Sequence, residues 1–260
     1  MAGTQRSLCH STIKSKRELR NPMKSGLDEY TRNARVKPAF LVALPMALAV
    51  AVLGFKQSAT EGTMFGLASS LGFTFLLAQL VRDVGKSKET VLFKKWGGKP
   101  TTVMLRHRDT RLNTHTLARY HSRLCSMLPD IKLPSVLHEK EHPTESDEKY
   151  ASCVDYLLSK TRDKERFQLL FQENINYGFR RNLWALKPIG IVIGLISLAI
   201  LAVLTRIQAR TGTTLWFGNI TAVVIVSLLL VWWFIRITPN WVRFAADGYA
   251  ERLLASIDEL

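Results

Sequence analysis

Cysteine is scarce. Cys9, Cys125 and Cys153 are the only thiols in 260 residues, no pair of them has the short spacing of a zinc site, and reduced thiols are expected. The six histidines show no consistent helical or Cys-paired spacing, so neither a metal nor a cofactor is expected. Acidic residues are outnumbered, 21 Asp and Glu against 36 Lys and Arg for a net charge of +15, which points to anionic partners. Elsewhere charge is missing altogether. Segments 38–55, 63–81, 188–205 and 217–235 hold no Asp, Glu, Lys or Arg over 18 or 19 residues each. Helices of that length reach about 27 to 29 Å, close to the hydrocarbon thickness of a bilayer. The pattern predicts four transmembrane helices and excludes an ordinary soluble fold. The first span is not expected to be a cleaved signal peptide, because 37 residues precede it and its apolar run is long.

Basic residues set the expected orientation. Only Lys56, Arg206 and Arg210 lie in the two short links, and the other 33 of 36 lie in 1–37, 82–187 or 236–260. By the positive-inside rule those three parts face the cytoplasm. The short links make each pair of spans an antiparallel hairpin. The expected fold is therefore an all-α membrane protein: a basic cytoplasmic arm (1–37), hairpin 1 (38–81), a mainly helical cytoplasmic insert (82–187), hairpin 2 (188–235) and an amphipathic cytoplasmic tail (236–260). Trp184, Trp232 and Trp233 fall at the expected inner interface, and Trp216 with Phe217 at the outer one.

The spans themselves lack any ionisable group, which argues against ion-coupled transport. Small residues recur at helix-packing spacing: Gly62 with Gly66, Ala68 with Gly72, and Gly190 with Gly194. Pro45 is expected to bend the first span. Asn219, Thr221, Ser227 and Gln79 are expected to hydrogen-bond between helices.

Within the insert, the spacing of Leu92, Phe93 and Trp96 predicts a helix over 87–96 capped by Ser87 and stopped at Gly97-Gly98. Residues 103–106 read as a short strand or extended link. Asn113 or Thr114 is expected to cap a helix reaching Leu128, 129–143 reads as a loop, and Thr144 or Ser146 is expected to open a helix to about Lys160. A last helix over 163–187 is expected to run into the third span, giving the insert a mechanical route to the bilayer.

Gly97-Gly98-Lys99-Pro100-Thr101-Thr102 has glycines and a lysine suited to an anion, without the spacing of a Walker A loop. His107-Arg108-Asp109 has the first three residues of a kinase catalytic loop, but Thr114 stands where that loop needs Asn. Lys99, Arg106, Arg108, Arg111 and Arg119 form a candidate basic surface for a nucleotide, RNA or acidic headgroups, with a solvated cytoplasmic face as the alternative. Tyr177, Phe179, Arg180, Arg181 and Trp184 interleave rings and charges just before the third span, as expected of a membrane interface or the inner mouth of a pore. No catalytic residue is assigned.

The stretch from Leu92 to Thr102, LFKKWGGKPTT, and that from Asn174 to Asn182, NINYGFRRN, resemble those of an uncharacterised family of small bacterial multi-pass membrane proteins. The paired-hairpin layout is similar to the four-transmembrane effectors of bacterial anti-phage systems that respond to cyclic nucleotides. The resemblance implies an inner-membrane effector that oligomerises with itself in the lipid bilayer. Its insert would sense a nucleotide or other anionic cue and gate or disrupt the membrane. Two alternatives stay open. One is a non-catalytic scaffold docking a cytoplasmic protein partner; the other is a membrane-tethered ribonuclease, since Arg108 and His115 match the loose Arg-His spacing of HEPN nucleases.

Overall fold

The computed structural model describes residues 28–56, 60–211 and 216–260, with side chains for all of these except 54–56, 60–63, 65, 67, 70, 216 and 217. The arm before residue 28 and both link centres lie outside that description, and Gly62, Trp216 and Phe217 are described in backbone alone. Among the described residues every regular element is helical. The first helix, α1, joins an α-turn Glu29–Thr31, a π-helical turn Arg32–Val36 and an α-helical stretch Lys37–Lys56. Then come α2 (Thr60–Trp96), α3 (Pro100–Val103), α4 (Thr114–Met127), α5 (Val136–Glu141), α6 (Pro143–Lys160), α7 (Gln168–Thr211), α8 (Trp216–Arg236) and α9 (Pro239–Ala255).

Three of these helices are long and apolar enough to cross a membrane, over Glu29–Leu53, Gln168–Thr211 and Gly218–Arg236. The expected second span lies in α2, partly on residues whose side chains are not described. α1, α2, α7 and α8 pack against one another, around Val42, Val81, Leu186 and Trp233. Toward their far end Asn219 Nδ2 donates to Gln208 Oε1 at 2.6 Å, joining α8 to α7. Two of the expected small residues allow close approach within the chain. A Cβ on Gly190 would meet Trp233 at 2.6 Å, and one on Gly194 would meet Leu230 at 2.6 Å, both on α8. One on Gly66 would overlap Val50 of α1, whereas one on Gly72 would meet nothing within 4 Å.

Beyond the apolar stretches, the turn after α3, α4, α6, the start of α7 and the end of α9 form a second core around Leu105, Leu124, Tyr150, Leu157 and Leu253, and the first half of α9 packs on Leu92, Trp96 and Tyr177. The tail therefore packs on the insert. Thr238 caps α9, its Oγ1 accepting from Trp241 N at 3.2 Å, and Pro239 takes the first helical position, where its missing N–H costs nothing.

Several expected boundaries move. Ser87 caps nothing: it lies inside α2, and its hydroxyl donates to the Val84 carbonyl at 3.0 Å. Polarity changes at residue 82, but Lys, Glu and Leu are good helix formers, so the backbone ladder continues. Glycine stops it. Gly97 takes φ +78°, and Gly98 N–H closes back on the Phe93 carbonyl at 2.9 Å, the six-residue closure of a Schellman cap. Residues 103–106 are not extended, because Pro100 starts α3 and the turn continues with Arg106 N–H donating to the Val103 carbonyl at 3.1 Å. The expected loop 129–143 contains α5, whose N-cap Ser135 accepts from His138 N at 3.2 Å. α6 begins at Pro143, ahead of Thr144 and Ser146, again with proline in the first turn. α7 starts at Gln168, after a turn in which Asp163 Oδ1 accepts from Glu165 N and Arg166 N. It then runs 44 residues through Pro188 without interruption. One continuous helix thus extends from the second core into the apolar bundle.

Candidate functional site

The junction of the two cores is built on a missing hydrogen bond. In an α-helix the Ala34 carbonyl would accept from residue 38, but that residue is Pro38, which has no N–H. The helix widens to π spacing over Arg32–Val36, and Asn182 Nδ2 of α7 donates to the Ala34 carbonyl at 2.6 Å. Asn182 is 1 % exposed, so the bond is shielded from water. Two glycines make room for it. A Cβ on Gly85 of α2 would overlap Asn182 Oδ1, and one on Gly178 of α7 would meet Tyr30 Oη at 2.7 Å and Ala34 Cβ at 3.1 Å. α1, α2 and α7 therefore meet at Asn182.

One turn further from the apolar bundle, Glu89 of α2 ties α2 to α7. Its Oε1 accepts from Tyr177 Oη at 2.6 Å and from Arg181 Nη1 at 2.8 Å. The Arg181 and Glu89 side chains are only 13 % and 15 % exposed. Removing one partner of such a pair costs about 3–5 kcal/mol, because the other charge stays buried. Tyr177 stacks on Tyr249 of α9, with ring centroids 6.2 Å apart and planes 13° apart. Arg180 turns to the other side, where its Nη1 donates to the Trp241 carbonyl at 3.1 Å and its guanidinium lies over the Trp241 ring at 5.1 Å. Phe179 meets Trp241 edge-on at 6.4 Å, and Trp184 packs between the neighbouring cores. The five junction residues singled out in the sequence all lie here, with Tyr177 and Arg181 directed inward to Glu89.

Glu89 also forms part of the wall of a crevice of about 170 Å³, shared with Phe93, Lys99, Asp155, Tyr177 and Tyr249. These residues come from α2, the turn before α3, α6, α7 and α9. Apolar surface dominates, two carboxylates face one lysine, and burial pushes the Tyr249 hydroxyl up to about 12. Neither Glu89 nor the crevice was evident from the sequence. The one available signal was that Glu89 shares a helical face with Leu92 and Trp96, an acid on an otherwise buried stripe.

The candidate basic surface is largely committed to internal pairs. Arg106 is buried, donating to both Asp147 oxygens at 2.7 and 2.6 Å and to the Gly97 carbonyl at 3.0 Å. Arg111 bridges Asp109 and Asp247, at 2.8 and 2.7 Å. Burial alone would raise Asp109, but the Arg111 bonds outweigh it and hold the carboxyl below its usual range. At Asp247 burial prevails over Arg111 and Arg243, and the carboxyl is raised. Arg119 pairs with Asp258 at 2.9 Å. Arg108 is 55 % exposed along its side chain and 3.8 Å from the buried Glu139. Lys99 is exposed at the crevice rim.

Glu139 organises the turn that carries Arg108. Its carboxylate accepts from His107 N at 2.8 Å and from Tyr150 Oη at 2.8 Å. His115 lies exposed in the first turn of α4, where Asn113 caps its N–H at 2.8 Å. Among the described residues no hydrogen bond or ion pair joins Arg108 to His115. Nor do any three His, Cys, Asp or Glu side chains among them converge to hold a metal ion.

No family model, no curated protein and no solved structure matches the chain. The reading of its function therefore rests on its own residues.

Proposed function

We propose that the chain is a multi-pass membrane effector, with four spans in two hairpins, whose cytoplasmic bundle takes a small ligand in the crevice and passes its occupancy to the spans. The observation that carries this reading is the double role of Glu89. Its carboxylate lines the crevice and is also the acceptor that holds Tyr177 and Arg181 of α7. A group entering the crevice competes for those bonds, and α7 and α2 both continue from this point into the apolar bundle. A ligand that changes only one of two arrangements shifts their populations by its differential affinity.

The crevice chemistry favours a flat, partly apolar group with a donor edge. At about 170 Å³ it is smaller than a typical whole-ligand pocket and suits a nucleobase-sized fragment. Glu89 and Asp155 accept from exocyclic amines, Phe93 and Tyr249 offer rings, and Lys99 stands at the rim for a phosphate. The ligand class is accordingly an amino-bearing nucleotide. Among the described residues, no comparable site supports the docking-scaffold or ribonuclease reading.

Dye release from liposomes containing the full chain, on addition of adenine, guanine and cytosine mono-, di- and cyclic nucleotides, tests the proposal. Release is expected with at least one of them and is expected to disappear in Glu89→Gln. Neither binding nor release across the whole panel would refute it.

A further inference from the structure

A second site lies on the outer side of the same junction, where α8 ends and α9 begins. Trp232 and Arg236 are four apart on α8 and so share a helical face. Trp232 meets Trp241 edge-on at 6.5 Å, and Arg180 reaches across from α7 to lie over Trp241 at 5.1 Å and over Phe244 at 5.6 Å. Phe244 is 75 % exposed although it stands beside a guanidinium. Among the described residues Arg236 has no hydrogen-bond or ion-pair partner for its side chain. Its charge opposes that of Arg180, and the carboxylate felt at Arg180 is Glu173, two turns further into the cytoplasm.

The backbone reinforces this balance. The C-terminal carbonyls of a helix carry partial negative charge and would repel an anion. Here Lys187 Nζ donates to the Phe234 and Ile237 carbonyls at 3.3 and 2.9 Å, covering that end of α8. What remains is a pair of guanidiniums without an ion-pair partner among the described residues, Arg180 also donating from Nε to Asn176 Oδ1 at 3.1 Å, beside exposed aromatic surface at the end of an apolar helix.

We propose that Arg180, Arg236, Trp232, Trp241 and Phe244 form a binding site for the phosphate of an anionic phospholipid headgroup. The proposal rests on α7 and α8 crossing a bilayer and is independent of whether the crevice takes a nucleotide. Guanidiniums bind phosphate oxygens through paired N–H donors. Indole rings settle at headgroup depth. Exposed Phe244 gives a lipid's glycerol and acyl region an apolar contact, which a free phosphate ion has no use for. That distinction selects the lipid over a soluble anion.

The test is native mass spectrometry of lipids retained by the full chain after extraction from nanodiscs of equal phosphatidylcholine and phosphatidylglycerol. Preferential retention of phosphatidylglycerol is expected, falling roughly fivefold for each guanidinium removed in Arg180→Gln and Arg236→Gln. Arg236→Lys is expected to keep most of the preference. Arg236→Gln alone carries the test if the Arg180 variant fails to elute as a folded species, since the Arg236 side chain has no partner among the described residues. Unchanged retention in folded Arg236→Gln would overturn the site. Displacement of phosphatidylglycerol by inorganic phosphate would overturn the lipid assignment in favour of a soluble anion.

Discussion

Asn182 supplies the hydrogen bond that Pro38 denies to the Ala34 carbonyl, so its loss leaves a buried acceptor unpaired. Asn182→Leu is expected to destabilise the protein by about 1–3 kcal/mol, read as a lower thermal midpoint in detergent; an unchanged midpoint would show that water or another donor reaches the carbonyl. A second residue-scale effect concerns His121, whose ring lies 4.8 Å from His107 and 5.6 Å from Tyr150 and whose Nε2 is 2.8 Å from the Leu105 carbonyl. Burial is the largest influence and lowers its pKa below 6.5; the Leu105 carbonyl and Glu139 act against that, and His107 adds to it. Between the folded value and 6.5 the unfolded chain binds more protons, so stability is full above 6.5 and is lost as pH falls through that window. Asp109 adds acid sensitivity only below its ordinary 3.8, and raised Asp247 acts in the opposite direction. His121→Gln is therefore expected to flatten the fall in thermal midpoint just below pH 6.5 relative to wild type, and parallel curves would contradict it.

Whole helices respond to their glycines according to what lies opposite. A methyl at Gly190 would meet three ring carbons of the fully buried Trp233 at 2.6 to 2.9 Å, and overpacking of this kind costs about 1–3 kcal/mol. Gly72 faces open space within the chain, and Gly72→Ala is expected to change stability by less than about 0.5 kcal/mol. Thermal unfolding of both variants checks the contrast, and equal effects would remove the packing argument. The sequence announced the existence of these helices more clearly than their ends. Gly97-Gly98, Asn113 and the apolar stretches were legible because each carries its own local physics. Ser87 misled because a capping residue at a change of polarity looks like a helix start, although nothing there breaks the backbone ladder. The four arginines and one lysine of the candidate basic surface show a different limit. Arg106, Arg111 and Arg119 have acidic partners in Asp147, Asp247 and Asp258, between 41 and 139 positions away along the chain, and pairing at that distance leaves no local pattern.

At the scale of the molecule, continuous helices join a more polar bundle to an apolar one, and Glu89 stands where they meet. The charge asymmetry and the apolar segments made the membrane character legible, whereas the coupling point required three helices to be brought together. The account's central claim is that filling the crevice alters the spans through Glu89. Because the crevice can be filled without knowing its ligand, the most direct measurement is dye leakage from liposomes containing Leu158→Trp, Glu89→Gln, or both. Leu158 lines the crevice, and its replacement by tryptophan is expected to raise leakage roughly fivefold or more. The double variant is expected to lose that increase, because residues acting through one network are not additive. Equal leakage from folded wild-type and Leu158→Trp protein, or an increase that survives Glu89→Gln, would contradict it.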